Sequence, residues 1–327
     1  MAVPRRLKAA LSRLLSAPVE EIILGNSTSY GLHLLANGLP LQRDDEVLVS
    51  QDDFPATILP WCGLRSRGIN VRVLSGGQGQ LFDQIAAALN SRTRVVCLSW
   101  VNSFTGVAID LNAIGDLCRA HGAWFVVNAS QAVGTRVLDV SSTPVDAVCA
   151  CGFKWLCGPY GTGFCWARSA IIDQLSYNQR YWLPEFWQSE RGESYSVDSP
   201  PVGGAQRYDL FCTANFFNFM PWTVGIEHLT GIGIARIQEH NESLVAAFVH
   251  GLDNSKVRVV ASSLFGTGSS IVSVSSVDPN KNAIIHQQLT HAGIDVALRR
   301  GNLRVSPHLF NSNADIMTAL RTLHDAA

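Results

Sequence analysis

The sequence lacks an excess of charge of either sign: 25 Lys and Arg residues stand against 26 Asp and Glu residues, for a formal net charge of -1. This balance gives no electrostatic reason to expect nucleic acid or an anionic membrane as the main partner. No uninterrupted apolar run reaches the ~20 residues needed to span a bilayer. The N-terminus is basic, with leucines at helical spacing instead of the continuous apolar segment of a signal peptide. We therefore expect a surface helix there and a cytoplasmic protein.

The eight cysteines lack the paired C-x-x-C spacing of zinc sites, and no nearby histidine completes a site. Disulfides are rare in the cytosol, so we expect the cysteines to be reduced and buried as small hydrophobic residues. Five of them lie within or beside apolar, strand-like stretches: Cys97, Cys149, Cys151, Cys157 and Cys165.

The sequence does contain an alternation of strand and helix patterns through its first half. Several of the strand patterns are near-continuous apolar runs, which are typical of strands covered on both faces. The alternation predicts an α/β fold with a mainly parallel sheet wrapped by helices. Strand patterns occur at 46–50, 69–74, 94–100, 124–128, 146–151 and 162–167, and helix patterns begin near Pro55, at Leu81 and after Asp110.

The pattern changes after Leu183. A stretch rich in Gly, Pro and Ser at 190–206 predicts a long loop, and a helix pattern then runs from Pro221 to about Leu252. The remaining residues alternate between short strand patterns and one helix pattern. A chain of 327 residues, 47% of them hydrophobic, can form two cores. We predict a large α/β domain over 1–220, then a linking helix and a small C-terminal α+β domain over 221–327.

Polar residues follow two of the predicted strands directly. Asn128 and Gln131 stand at the end of one strand, where open α/β sheets bind ligands. Lys154 follows a second strand that ends at Cys151, and it is flanked by Phe153 and Trp155. Desolvation beside aromatic residues lowers the pKa of an amine and makes it a competent Schiff-base nucleophile. From these residues alone, a lysine whose stem covers an apolar edge is an equally good interpretation.

Six stretches, in order from about Gly25 to Asn313, resemble the class V aminotransferase family of fold-type I pyridoxal 5'-phosphate (PLP) enzymes. They are LGNSTS (24–29), DDFPATILPW (52–61), SWVNSFTG (99–106), VVNASQAVG (126–134) with CGFKWLCGPYGTGF (151–164), AQRYDLFCTANF (205–216) and NLRVSPHLFN (302–311). The family includes cysteine desulfurases, kynureninase, isopenicillin N epimerase and hercynylcysteine sulfoxide lyase. The resemblance implies the fold of a fold-type I PLP-dependent transferase, an amino-acid substrate and a homodimer.

The resemblance implies that Lys154 carries PLP as a Schiff base. Ser27 and Thr28 would bind the phosphate, which suits hydroxyls and free N–H groups at a helix N-terminus. A plain Ser/Thr cap for a helix over 30–38 is the other interpretation, and both can be true. Phe54 would stack on the pyridine ring, and Gln131 would bond its O3' atom.

Three further residues are assigned by the same resemblance. Ser103 would approach the cofactor or the substrate. Thr213 would reach the phosphate of the neighbouring subunit, so the active site would lie at a dimer interface. Arg304 would hold the substrate α-carboxylate, because a guanidinium fork matches a carboxylate with two hydrogen bonds.

The sequence departs from the family pattern at several of these positions. Asn128 stands where the family has an aspartate that pairs with the protonated pyridine nitrogen. Cys151 and Phe153 stand where a serine and a histidine often contact the phosphate, so the phosphate would be held differently, with Cys151 at the cofactor. The phosphate-binding turn also begins at residue 24, whereas relatives carry several dozen residues before it.

These departures guide the choice among reactions. Residues 293–306 contain no cysteine, which disfavours a cysteine desulfurase because that activity needs a nucleophilic cysteine shortly before the carboxylate-binding arginine. A neutral Asn128 favours β-elimination, since a leaving group on Cβ drains the carbanion without a protonated pyridine. We therefore expect a C–S lyase acting on a cysteine conjugate, with epimerisation or racemisation next and transamination third. A degenerate family member that binds PLP without catalysis is the alternative from another class.

Overall fold

The computed structural model describes residues 2–75, 80–182, 203–211, 215–261 and 268–327. The chain divides into two compact units. The first comprises Met1–Ser99, Leu111–Val133 and Leu138–Gly231, and the second comprises Trp100–Asp110, Gly134–Val137 and Ile232–Ala327. The predicted division into folding domains at residue 220 stays a prediction.

A seven-stranded sheet forms the centre of the first unit, in the order β1-β7-β6-β5-β4-β2-β3. Strands β2 to β6 run parallel, and β7 runs antiparallel to both of its neighbours. The mainly parallel α/β architecture is therefore as predicted. The strands are β1 (Ile22–Gly25), β2 (Glu46–Ser50), β3 (Asn70–Leu74), β4 (Thr93–Ser99), β5 (Trp124–Asn128), β6 (Ala147–Cys151) and β7 (Gly163–Ala167).

The central strands form where the sequence is continuously apolar. β6 and β7 are buried along their whole length, as expected for strands with helices on both faces. The helices of this unit begin at recognisable residues: the Ser27 side chain caps one, and Pro55 opens another. They are α1 (Ala2–Leu15), α2 (Thr28–Gly38), α3 (Pro55–Cys62), α4 (Leu81–Ala88), α5 (Leu111–Ala120), α6 (Ser169–Ile172) and α7 (Phe216–Ile232).

The second unit holds a four-stranded antiparallel sheet in the order β10-β11-β9-β8. Its core combines these strands with one face of each of three helices. The elements are β8 (Val257–Ala261), β9 (Val272–Ser276), β10 (Ala297–Arg299), β11 (Asn302–Val305), α8 (Ile234–His250), α9 (Asn282–His291) and α10 (Asn313–Ala326).

The single helix expected from Pro221 is wrong in two respects. Helix α7 begins at Phe216, so Pro221 lies inside it, and Gly233 separates α7 from α8. Gly233 has a φ of +99°, a conformation that interrupts a helix and that glycine adopts at little cost. Among the described residues, no helix is long and apolar enough to cross a membrane.

None of the seven described cysteines forms a disulfide, and Cys97, Cys149, Cys151 and Cys165 are buried as expected. Cys157 is a correction, because it is exposed. It lies in the turn after Lys154, with a φ of +50°, and not in a strand. Residues 190–202 of the predicted loop at 190–206 lie outside the described residues.

Candidate active site

Three neighbouring parallel strands end side by side in the first unit and define the candidate site. Ser99 ends β4, Asn128 ends β5 and Cys151 ends β6. Ser99 and Asn128 are register partners across the two strands. The carboxyl edge of a parallel sheet is the usual ligand-binding edge, so the loops that follow these strands are where a cofactor is expected.

Lys154 lies in a short loop that is folded back on itself. Gly158 donates its N–H to the carbonyl of Gly152 over 2.8 Å, and Gly152 donates to the carbonyl of Thr162 over 2.9 Å. Both glycines pack against the Trp222 indole: a Cβ on Gly152 would come within 2.5 Å of that ring and one on Gly158 within 2.4 Å. The glycines are needed here because the loop passes this close to a buried ring.

The Lys154 amine faces an aromatic ring from another loop. Its Nζ lies 5.6 Å from the centroid of the Phe54 ring, within the range of a cation–π contact. The side chain is partly buried, which excludes the fully solvated lysine of a protein surface. Phe54 itself remains 41% exposed. Its predicted stacking on a pyridine ring stays a prediction.

Gln131 presents an amide whose orientation is fixed by Trp155. The Trp155 Nε1–H donates to Gln131 Oε1 over 3.0 Å, and an indole nitrogen can only donate. The Gln131 NH2 group therefore points away from Trp155. It has no acceptor among the described residues. A buried N–H donor beside the Lys154 loop is what an oxyanion such as the PLP O3' requires.

Hydrogen bonds from Ser130 fix the orientation of the Asn128 amide. Ser130 donates both its backbone N–H (3.1 Å) and its hydroxyl (2.6 Å) to Asn128 Oδ1, and a backbone N–H must face an oxygen. Asn128 Nδ2 donates to Thr57 Oγ1 over 2.9 Å. The oxygen is thus occupied within the protein. One of the two Asn128 N–H groups has no acceptor among the described residues.

The sequence analysis did not identify the three residues that are connected to Asn128 by hydrogen bonds: Thr57, Ser99 and Asp53. Thr57 Oγ1 lies 3.2 Å from Ser99 Oγ, and Ser99 Oγ lies 2.5 Å from Asp53 Oδ1. Asp53 is 4% exposed and also accepts the Ser99 and Phe54 backbone N–H groups. Burial raises the pKa of Asp53, whereas these hydrogen bonds oppose the rise. The only signal in the sequence is an acidic pair directly after a buried strand, which equally fits a solvated turn.

The predicted phosphate residues lie at the N-terminus of α2. Ser27 Oγ accepts the Tyr30 N–H as a helix cap, and Thr28 Oγ1 lies 2.6 Å from Ser130 Oγ. The cap interpretation of Ser27 is therefore correct, and it is compatible with a phosphate role. Gly163 packs so tightly on this turn that a Cβ would lie 2.6–2.7 Å from the Ser27 backbone.

Two further residues, Cys151 and Thr213, were predicted to contact the cofactor. Cys151 is buried opposite Gly163, and its thiol makes no hydrogen bond to a described residue. Its suggested place at the cofactor stays a prediction. Thr213, assigned to the partner's phosphate, lies outside the described residues.

Arg304 and Ser103, the residues predicted to contact the substrate, are hydrogen-bonded to each other in the second unit. Arg304 Nη1 donates to the carbonyl oxygen of Ser103 over 2.7 Å. Arg304 Nε and Ser103 Oγ are both buried, and neither has a hydrogen-bond partner in the described chain. No carboxylate among the described residues pairs with Arg304, and burial together with the charge of Arg299 lowers its pKa. Unpaired buried donors beside an uncompensated guanidinium constitute a site for an anion.

The residues of the first unit fit PLP. Gln131 and Asn128 direct amide N–H groups away from their internal partners, while Ser27 and Thr28 stand at a helix N-terminus suited to a phosphate. Lys154 supplies a partly buried amine beside an aromatic ring. The attachment point, the phosphate, the O3' atom and the ring nitrogen of PLP therefore each have a candidate residue in the first unit.

A family model for class-V aminotransferases matches residues 4–321. The chain belongs to the class-V aminotransferase family. Membership confirms the predicted family and its fold, and it identifies the chain as a PLP-dependent enzyme that acts on an amino acid.

Several members of the class-V aminotransferase family are similar to the chain. A probable cysteine desulfurase of Methanothermobacter thermautotrophicus is 26% identical over 99% of this chain and 84% of its own length. Isopenicillin N epimerase of Streptomyces clavuligerus is 28% identical over 54% of this chain and 46% of its own. The relatives therefore include both a probable cysteine desulfurase and an epimerase.

Solved structures agree on the fold. The apo cysteine desulfurase of Thermococcus onnurineus NA1 has a TM-score of 0.87 at 21% identity, covering 99% of this chain and 83% of the other. A cystine C–S lyase in complex with its product, cysteine persulfide, has a TM-score of 0.86 at 22% identity, covering 99% and 86%.

Proposed function

We propose that the chain is a PLP-dependent C–S lyase that cleaves a cysteine conjugate by β-elimination. The observation that carries the choice of reaction is the Asn128 amide. Its oxygen is occupied by Ser130, so the side chain offers an uncharged N–H donor where the family has a carboxylate. A neutral donor suits an unprotonated pyridine nitrogen, and a weak electron sink favours a reaction in which a leaving group removes the charge.

When bound, PLP supplies an electron sink for the bonds to the substrate Cα. Lys154 Nζ would hold the cofactor and would be the amine that moves the proton at Cα. Gln131 would donate to the O3' oxygen through the N–H groups that Trp155 leaves unused. Ser27 and Thr28 would bind the phosphate with the free N–H groups of the α2 N-terminus.

Arg304 and Ser103 would bind the substrate α-carboxylate. Arg304 keeps a buried Nε–H without a partner in the described chain, and its Nη1 is anchored on Ser103. A carboxylate accepting from both Arg304 and the Ser103 hydroxyl would satisfy donors that are costly to leave unpaired.

The net reaction consumes the conjugate and one water. The Cα–H and Cβ–S bonds break, the sulfur leaves as a thiol after taking a proton, and the carbon skeleton and its nitrogen appear as pyruvate and ammonia. No oxidant or reductant is required.

The hairpin before Arg304 argues against a desulfurase that stores sulfur on a cysteine. Strands β10 and β11 are joined by Arg300 and Gly301, with φ values of +48° and +79°. Positive φ at both turn residues is typical of the tightest hairpins, in which only two residues connect the strands. Such a hairpin leaves no room for a longer catalytic loop. No cysteine occurs over residues 293–306.

Epimerisation is the second candidate because isopenicillin N epimerase is among the matched relatives. It would exchange the proton at Cα and release neither pyruvate nor ammonia. A homodimer in the cytoplasm is part of the proposal, with Thr213 assigned to the partner's phosphate.

A screen of cysteine conjugates and amino acids tests the function. The purified protein with PLP should release pyruvate, ammonia and thiol in equal amounts from at least one conjugate. Exchange of the Cα proton with solvent deuterium, without pyruvate, would identify an epimerase. Bound PLP with neither activity over a broad panel would support the non-catalytic alternative.

A further inference from the structure

The antiparallel sheet of the second unit has one face in the core and one face outside it. Val272 and Val274 of β9 and Leu303 of β11 belong to the core. Side chains alternate between the two faces of a strand, so Ser273 and Arg304 lie on the other face. The two residues are register partners across β9 and β11. Their Cβ atoms are therefore about 5 Å apart, and Ser273 lies beside the base of the Arg304 side chain.

Ser273 is shielded from water although it lies outside that core. Only 1% of the residue is exposed. Residues 100–110 of the same unit pack against the beginning of β9, where a Cβ on Gly106 would lie 2.3 Å from the carbonyl oxygen of Ile271. A hydroxyl in such a place needs a hydrogen-bond partner within the protein or from a bound molecule.

Ser273 Oγ is one of three buried polar groups that have no hydrogen-bond partner in the described chain and that are linked through Arg304. The others are Arg304 Nε and the Oγ of Ser103, a residue that is 4% exposed. Arg304 is the register partner of Ser273 and donates its Nη1–H to the Ser103 carbonyl. A guanidinium N–H and two hydroxyls can all donate. The partner that all three lack is an acceptor, and beside a positive charge the acceptor that suits them is an anion.

We propose that Ser273 is a third donor to the substrate α-carboxylate, beside Arg304 and Ser103. The inference rests on the proposed function, which assigns the carboxylate to those two residues, and it holds for elimination and epimerisation alike. When the carboxylate is bound, the Ser273 hydroxyl donates to it together with the guanidinium. Ser273 therefore selects substrates by their carboxylate and takes no part in the steps at Cα and Cβ.

This role gives Ser273 an energetic signature opposite to that of a structural serine. In the protein without substrate, Ser273→Ala removes a buried hydroxyl that has no partner in the described chain. No hydrogen bond is broken, so the melting temperature should stay the same or rise slightly. With a carboxylate bound, the same substitution removes a hydrogen bond to a charged group. The dissociation constant of the carboxylate should therefore increase about tenfold or more.

Ser275 provides a matched control two residues further along β9, on the same face as Ser273. Its Oγ donates to the Ser276 carbonyl over 2.9 Å and accepts from Asn282 Nδ2 over 2.9 Å. The Ser275 hydroxyl is thus paired within the protein. Ser275→Ala breaks both hydrogen bonds, so it should lower the melting temperature and leave carboxylate binding unchanged.

The experiment measures carboxylate binding first without turnover and then with it. Propionate labelled with ¹³C at the carboxyl carbon is titrated into each PLP-free protein and followed by NMR, with propionamide as the uncharged control. Ser273→Ala should raise the dissociation constant of propionate about tenfold or more, Arg304→Ala should abolish saturable binding, and Ser275→Ala should change nothing. In the holoenzyme, Ser273→Ala should raise KM for the conjugate by a similar factor and change kcat little.

Equal dissociation constants of propionate in the natural protein and in Ser273→Ala would overturn the inference, because a bound water would then pair the hydroxyl. A Ser273→Ala protein that melts as low as Ser275→Ala, or that does not fold, would overturn it as well, since Ser273 would then be structural. Both results leave the proposed function intact if Arg304→Ala loses propionate. If Arg304→Ala binds propionate as the natural protein does, the inference and the carboxylate site of the proposed function fail together.

Discussion

Replacing Arg304 by alanine should weaken amino-acid binding far more than PLP binding. The substitution removes the Nη1 bond to the Ser103 carbonyl and the buried Nε–H that has no partner in the described chain. A hydrogen bond to a charged group contributes about 1.5–3 kcal/mol. Losing a two-bond fork on the carboxylate should therefore cost about 3–4 kcal/mol, or a reduction of kcat/KM of ~10²-fold or more.

Matched variants separate charge from geometry at this site. Arg304→Lys keeps a positive charge and loses the planar fork, so it should fall between the natural protein and Arg304→Ala. Arg299→Ala removes the neighbouring charge that helps to lower the pKa of Arg304, and it should change kcat/KM little. The dissociation constant of PLP, measured by fluorescence, should remain close to that of the natural protein in all three variants.

The assay is steady-state release of pyruvate from a cysteine conjugate, with unfolding measured in parallel. Loss of the Ser103 contact alone should lower the free energy of unfolding by about 1 kcal/mol. If kcat/KM falls less than tenfold in a folded Arg304→Ala protein, the α-carboxylate is bound elsewhere and the assignment of residues 302–311 is wrong.

Asn128→Asp should raise transamination relative to elimination, measured as aminated cofactor against pyruvate; an unchanged ratio would falsify the electronic argument. It should also destabilise the apo-protein by about 1–3 kcal/mol, because it buries a second carboxylate. Gly163→Ala should lower the melting temperature and weaken PLP binding, since its Cβ would meet the Ser27 backbone at 2.6 Å, whereas Gly63→Ala, with open space around it, should do neither; equal effects would contradict this. Light scattering should report a homodimer, and a monomer that holds PLP tightly would contradict the role of Thr213.

The strands were predictable where burial is decided locally. Residues 124–128 form β5 as predicted because the four residues Trp124–Val127 are apolar and strand-favouring, and such a short run before polar residues has few other solutions. The break at Gly233 was missed because the apolar spacing continues across it, and only the backbone angle of one glycine separates α7 from α8. Pro221 also lies inside α7, near the beginning of that helix, so it does not mark the helix start as predicted.

The candidate site was predictable in its residue types but not in its connections. Lys154 and Asn128 stand directly after strands, so their placement at one edge followed from the parallel sheet. Asp53 was missed because its partner Ser99 is 46 residues away, and no local pattern distinguishes a buried carboxylate from a solvated one. The roles of Arg304 and Ser103 came from the family resemblance alone, and their contact, which spans 201 residues, was not predicted.

Mapping the cofactor attachment tests the central claim most directly. The protein incubated with PLP should be reduced with borohydride, digested and analysed by peptide mass mapping. We predict a phosphopyridoxyl group on Lys154, the amine 5.6 Å from the Phe54 ring, and none on the protein with Lys154→Ala. A label on a different lysine, or no label with PLP in excess, would contradict the account.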